Sequence, residues 1–297
     1  MLAVFPFLAA LTASFGWATG IVLAQMPAKA LGAFEFTRIQ LIACSLLMAA
    51  ACTVFGLWHS IDWLYWPSFV VSTVIGVVLG NLTMIECLRL GGPRLTELLL
   101  CLKAPIVAVV AFLWIGETLG AADLIGGTLI LAGLILAIQF GGGTEQTHRQ
   151  RDKRIARVLV LGVLAAGFQG LGFVAVKPAL TNGAEPLAIA AIRLLGAAGL
   201  ILLFGLWRKQ SQLQKTEVTP YLLFRTILPG VIGYIVSSSL LLYAYANIEA
   251  ALATILGSLS PLFVLPILWF ADGKKPSVPS VVGAAIAVAG AAAIVWV

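Results

Sequence analysis

Lys103 stands inside an apolar run, two residues before Pro105, with Leu98-Leu99-Leu100 before it and Ile106-Val107-Ala108 after it. An ammonium in hydrocarbon costs roughly 2.5 to 3.5 kcal/mol on insertion scales, so such a residue faces a cavity or a partner. Two tasks suit it. It anchors a carboxylate or phosphate of a bound solute, or it pairs permanently with a carboxylate such as Glu86 and holds helices together. Pro105 lacks a backbone N–H and frees a carbonyl one turn back, which bends the helix toward a cavity. Pro261 is placed in the same way later in the chain, after Ser258 and Ser260.

Other ionisable residues fall in or beside apolar runs. Glu86 with Arg89, and Arg94 with Glu97, have the i,i+3 spacing of helix-surface neighbours. Glu86 is either a structural partner or a solute contact, and Glu97 also favours its helix N-terminus through the helix dipole. Arg38 and Arg193 each stand about one turn inside an apolar run. Each either snorkels to the interface or acts as a gate that closes one mouth of a cavity through Glu35 or Glu185. Asn81 and Thr83 correspond roughly to Ser237-Ser238-Ser239, small polar groups that join helices or coordinate a solute. Tyr234, Tyr243 and Tyr245 follow, and Tyr243 is the aromatic candidate for solute contact. Trp17 lies deep in its run and is a second one, whereas Trp58, Trp63, Trp66, Trp114, Trp207 and Trp269 cluster at run ends as interfacial belts.

The elements that must position these groups follow from composition. Of 297 residues, 61% are hydrophobic and 10% charged, and the mean hydropathy is +1.06; a soluble domain carries about 25% charged residues. Apolar runs recur near residues 3–24, 34–56, 66–88, 95–114, 121–139, 157–179, 186–207, 220–245, 249–270 and 277–297. Each approaches the ~20 residues that cross a bilayer as a helix. Runs of this length exclude barrel strands, and lipid offers backbone groups no hydrogen bonds. The fold class is an all-α polytopic membrane protein. The run from Leu2 to Ala24 lacks a basic start, so it reads as the first span and not as a cleaved signal.

Landmarks recur in order across the midpoint. Gly16 pairs with Gly170, Arg38 with Arg193, Gly56-Leu57-Trp58 with Gly205-Leu206-Trp207, and Pro105 with Pro261. Leu113-Trp114 answers Leu268-Trp269, and Gly126 with Gly133 answers Gly283 with Gly290. The chain thus reads as ten transmembrane helices in two five-helix repeats, 1–140 and 157–297, joined by a basic linker at 141–156. An odd number of spans per repeat inverts the second relative to the first. Basic residues gather in the loops after spans 1, 3, 5, 7 and 9, and the other loops hold essentially only Lys177. The positive-inside rule places the basic loops and linker in the cytoplasm and both termini outside.

This pattern resembles the EamA family of the drug/metabolite transporter superfamily. The residues that carry the resemblance are Phe15-Gly16-Trp17, Arg38, Arg193, Pro105, Ser260-Pro261, the Ile115-Gly116-Glu117 turn and the paired glycines. The resemblance implies a central cavity lined by the first four helices of each repeat, with helices 5 and 10 at the back. Two departures stand out. The second repeat has Asp272 at the corner where the first has Glu117, and the basic loops place the termini opposite to many ten-helix relatives.

The expected function is transport of a small zwitterionic or anionic organic solute, such as an amino acid or related metabolite, by alternating access in a cell inner membrane. The alternative is a flippase for lipid or lipid-linked phosphate, with Lys103 and Arg38 on the headgroup. An enzyme is disfavoured because His59 and His148 lie in loops and no catalytic or metal-binding spacing falls within the spans. A channel is disfavoured by the lack of a filter-like loop or carboxylate ring. Cys44, Cys52, Cys87 and Cys101 read as small apolar packing residues, and neither a metal nor a cofactor is expected. The basic residues mark orientation and not nucleic-acid binding. The expected partners are the small-molecule or lipid substrate and the bilayer, in a monomer or a homodimer through helix 10.

Overall fold

The computed structural model describes residues 4–117, 120–139, 148–207, 219–272 and 277–295. Among them the only regular structure is helical. Six stretches are long and apolar enough to cross a membrane: Val4–Val54, Trp63–Leu100, Ile155–Thr181, Pro186–Leu206, Pro220–Asn247 and Ala250–Phe270. The first is 51 residues, far more than the ~30 Å hydrocarbon thickness requires at 1.5 Å per residue. It reverses at Gly32 (φ 75°, ψ 165°), and the second reverses at Gly92 (φ 79°, ψ 170°). Residues with a Cβ rarely adopt that conformation, so single glycines make both turns.

Division at these points gives α1 (4–31), α2 (33–54), α3 (66–91) and α4 (93–115). The remaining elements are α5 (Ala121–Gln139), α6 (His148–Thr181), α7 (Pro186–Trp207), α8 (220–247), α9 (250–272) and α10 (Val278–Val295). Two boundaries differ from the sequence reading. The expected connection around 25–33 is helical to residue 31 and carries Pro27 within the helix, because Ala28, Ala30 and Leu31 are good helix formers and exposed Lys29 does not break a helix. The second half of the expected linker is also helical, since α6 starts at His148; residues 141–147 lie outside the described residues.

The same local features recur in both halves. In α3, residues Ser72–Leu79 are π-helical, and in α8 so are Val231–Ser237. Helix α4 breaks at Cys101–Leu102, and α9 breaks at Ser258–Leu259. Pro105 and Pro261 fall in the first turn after each break, where a missing N–H is tolerated. The two breaks cross: the Cys101 thiol donates to the carbonyl oxygen of Ser258 at 2.9 Å. All four cysteines are buried and free, and Cys101 bonds in addition to packing.

Helices α3 and α6 approach backbone to backbone. A Cβ on Gly76 would lie 2.6 Å from the Cα of Gly172, and the Ser72 hydroxyl donates to the Gly172 carbonyl. Helices α5 and α10 pack on each other. Gly126, Gly133, Gly283 and Gly290 are buried there, while Leu124, Ile125, Val281 and Val282 point outward. Large apolar side chains such as Leu46, Leu113, Leu203 and Phe270 are more than half exposed on the bundle exterior, an arrangement that lipid rewards and water does not.

Candidate functional site

A cavity of about 960 Å³, its open mouth included, lies inside the bundle. Its walls come from α1 to α4 and α6 to α9, and among the described residues none of the lining belongs to α5 or α10. The broken and π-helical segments supply much of the wall. Gly76 and Val77 come from the π segment of α3, Gly233 and Tyr234 from that of α8, and Lys103, Ser258 and Ser260 from the two breaks. Irregular helix at membrane depth is tolerated where it lines a cavity.

Two cations meet in this space. Lys103 is 6% exposed and Arg193 4%. The Lys103 Nζ lies 4.9 Å from the Trp17 ring centre and 6.0 Å from that of Phe173, and the Arg193 guanidinium carbon lies 4.5 Å from the same Phe173 ring. One ring from α6 therefore holds both charges, and Trp17 packs edge-on to it at 6.1 Å. Gly170, one turn from Phe173, leaves room for the lysine stem, since a Cβ there would lie 3.3 Å from Lys103 Cγ. Among the described residues no carboxylate lies within 4.0 Å of either cation. Cation–π contacts supply about 2 kcal/mol when desolvated, less than the several kcal/mol that burial of an ion costs. The rings hold both cations in place.

Polar groups surround them. Glu97 of α4, 3% exposed, accepts a hydrogen bond from the Ser260 hydroxyl of α9. Asn81, Gln169 and Gln40 line the wall, and Gln40 Nε2 donates to the Thr226 carbonyl at 2.8 Å. Arg193 Nε, Tyr234 OH and Ser258 Oγ are buried with no hydrogen-bond partner among the described residues, so each can bond to a polar group that enters the cavity.

The residues expected to contact a solute divide into two groups. Lys103, Asn81, Trp17, Ser258 and Ser260 line the cavity. Glu86 and Tyr243 do not. Glu86 is held by Arg89 at 2.8 Å and by Arg157 of α6 at 3.1 Å, and Tyr243 is 39% exposed on the outer side of α8. Of the gating candidates, Arg193 stands in the cavity, while Arg38 pairs with Glu35 at 2.6 Å outside the lining. Glu97, Gln40, Gln169, Phe173 and Tyr234 are lining residues that the sequence reading did not select. For the two glutamines the signal was present, since each is an amide in an apolar run; nothing in the sequence marks Phe173.

A second polar cluster lies where the α4–α5, α6–α7 and α8–α9 connections meet. Gly116 (φ 76°) ends α4 in the left-handed conformation and turns Glu117 toward α6 and α9. The Glu117 carboxylate pairs with buried Lys177 and accepts the Ala250 N–H at 3.1 and 3.2 Å, at the start of α9. Lys177 also donates to the Ile248 carbonyl at 3.2 Å. The corresponding corner of the second repeat, at Asp272, has its side chain outside the described residues.

The model of the EamA-like transporter family matches residues 4–139 and again 156–296. The chain belongs to the EamA-like transporter family. It is thus a multi-pass membrane protein of a transporter family, and not one of a family of enzymes. A solved structure described as "Crystal structure of protein" is similar to the transporter at a TM-score of 0.77 and 18% identity, over 97% of this chain and 95% of that one. That likeness concerns the fold. A comparison with curated protein sequences gives no match.

Proposed function

We propose that the transporter moves a small zwitterionic or anionic organic solute, such as an amino acid or related metabolite, by alternating access. The observation that carries this reading is the pair Lys103 and Arg193, buried in one cavity, resting on aromatic rings and, among the described residues, with no carboxylate within 4.0 Å. An entering carboxylate meets both cations together with Arg193 Nε, Tyr234 OH and Ser258 Oγ, which have no hydrogen-bond partner among the described residues. An ammonium on the same solute finds its acceptor in Glu97, with Asn81 alongside.

The architecture we assign to this activity is ten spans, α1 to α10, in two inverted repeats, 1–140 and 157–297, joined by a cytoplasmic linker at 141–156. Paired π segments and paired helix breaks support the repeat, and they place half-helix ends beside a central site, the arrangement that alternating access uses. Lys177, the one basic residue that weakened the charge bias, is neutralised by Glu117. The bias then supports cytoplasmic basic loops in a cell inner membrane and external termini.

The test is a thermal-shift panel of carboxylates, zwitterionic amino acids and phosphate headgroups on purified protein, followed by uptake into proteoliposomes. Lys103→Gln and Arg193→Gln should each weaken solute binding at least about tenfold and leave detergent chromatography unchanged. Unaltered binding in both variants refutes the reading. Stabilisation by phosphate headgroups alone replaces it with the flippase.

A further inference from the structure

Glu97 has no role in anchoring an anion, yet its carboxylate is buried in the cavity wall, 3% exposed. Glu97 sits five residues into α4, at the wall between α4 and α9. Its Oε2 accepts from the Ser260 hydroxyl, and among the described residues its Oε1 takes no hydrogen bond. No cation lies within 4.0 Å of it among those residues. Ser260 on α9 donates to it, the titratable groups that line the cavity with it are Lys103 on its own helix, Arg193 on α7 and the Tyr234 hydroxyl on α8, and the Cys101 thiol one turn on is bonded to the Ser258 carbonyl. The contributions of α1, α2, α3 and α6 to the lining are neutral.

We propose that Glu97 is a proton-binding site linked to the solute, so that an anion and a proton are carried together. This rests on the transport reading above. With no solute bound, the field of Lys103 offsets the negative charge of Glu97. An anion docked on Lys103 and Arg193 takes up that field and adds its own repulsion, which favours the protonated carboxyl. The proton comes from bulk water and bonds to Oε1; the Ser260 hydroxyl goes on donating to Oε2, and no other bond changes. Release of the anion restores the cationic field and expels the proton to water on the side where the cavity then opens. A zwitterion brings its own ammonium to Glu97, which takes the place of the proton, so none is taken up. The same site therefore couples anions to protons and carries zwitterions without them.

The experiment uses the full-length protein in lipid. Infrared difference spectra between about pH 4 and 9 should show a protonated carboxyl band that is missing in Glu97→Gln and shifted in frequency in Ser260→Ala, where the donor is deleted. In weak buffer with an indicator dye, benzoate should cause proton uptake by the wild type and none by Glu97→Gln, with the midpoint of the carboxyl band raised by about one pH unit. L-phenylalanine should cause no uptake. Spectra of Glu97→Gln that superimpose on the wild type overturn the proposal, as does benzoate binding without proton uptake. A titrating Glu97 band in a protein that no member of the solute panel stabilises would instead sink the transport reading and leave the proton site standing.

Discussion

The Glu117–Lys177 pair allows a quantitative test of how the two repeats are fastened. The side chains are 14% and 8% exposed, and they tie the end of α4 to α6 and to the first turn of α9. Loss of one partner from a buried pair costs about 3 to 5 kcal/mol, because the other charge is left uncompensated. The lower figure applies here, since each partner keeps a backbone contact, Glu117 with Ala250 N–H and Lys177 with the Ile248 carbonyl. Lys177→Met should therefore cost about 3 kcal/mol, roughly a hundredfold in the folding equilibrium. Glu117→Gln keeps an acceptor for the Ala250 N–H but leaves the buried Lys177 ammonium uncompensated, and should also cost about 3 kcal/mol. The double variant leaves no unpaired charge, so its cost should fall below the sum of the singles by about 2 kcal/mol. Steric trapping in bicelles measures all four species. A coupling energy below about 0.5 kcal/mol would show that the two residues act independently, and would refute their role as a clamp.

Other outcomes follow from the packing and the cavity. Gly76→Val places a side chain against the Gly172 backbone, which cannot rotate away, and should cost about 3 kcal/mol or prevent folding, read by detergent chromatography. Phe173→Leu removes the ring shared by Lys103 and Arg193 and should raise the KM for uptake about fivefold, with Phe173→Tyr restoring it; equal KM values in all three proteins would show that the ring does not position the cations. Tyr243→Ala and Glu86→Gln lie outside the cavity and should leave uptake within about twofold of wild type in proteoliposomes. A tenfold loss in either would mean that a second region contacts the solute.

Much of the helical architecture was legible because apolar runs and punctuating glycines report directly on span length and turns. Lys103, Asn81, Trp17, Ser258 and Ser260 were also legible, since a polar group within an apolar run is costly unless it has a cavity. What escaped was set by geometry between distant segments. Glu97 looks like a helix-dipole residue, yet α4 starts at Pro93 and the carboxylate lies a full turn inside, facing Ser260 of the other half. Glu86 looks equally intramembrane, but Arg157 arrives from α6 to pair with it. Tyr243 and Tyr234 are both helix 8 tyrosines, and the π-helical segment at Val231–Ser237 turns Tyr234 inward. A π turn has no sequence signature comparable to a proline or a capping residue, so its effect on side-chain phase could not be read in advance.

The packing of α5 on α10 has a consequence for how the chain is put together. Those helices end the two segments that match the family, and they pack directly on each other with Gly126, Gly133, Gly283 and Gly290 buried. In energetic terms the linker supplies effective concentration: it keeps one copy of each repeat beside the other and does not create the seam on which they meet. A change confined to the connection between the two segments therefore leaves the residues of the α5–α10 seam as they are.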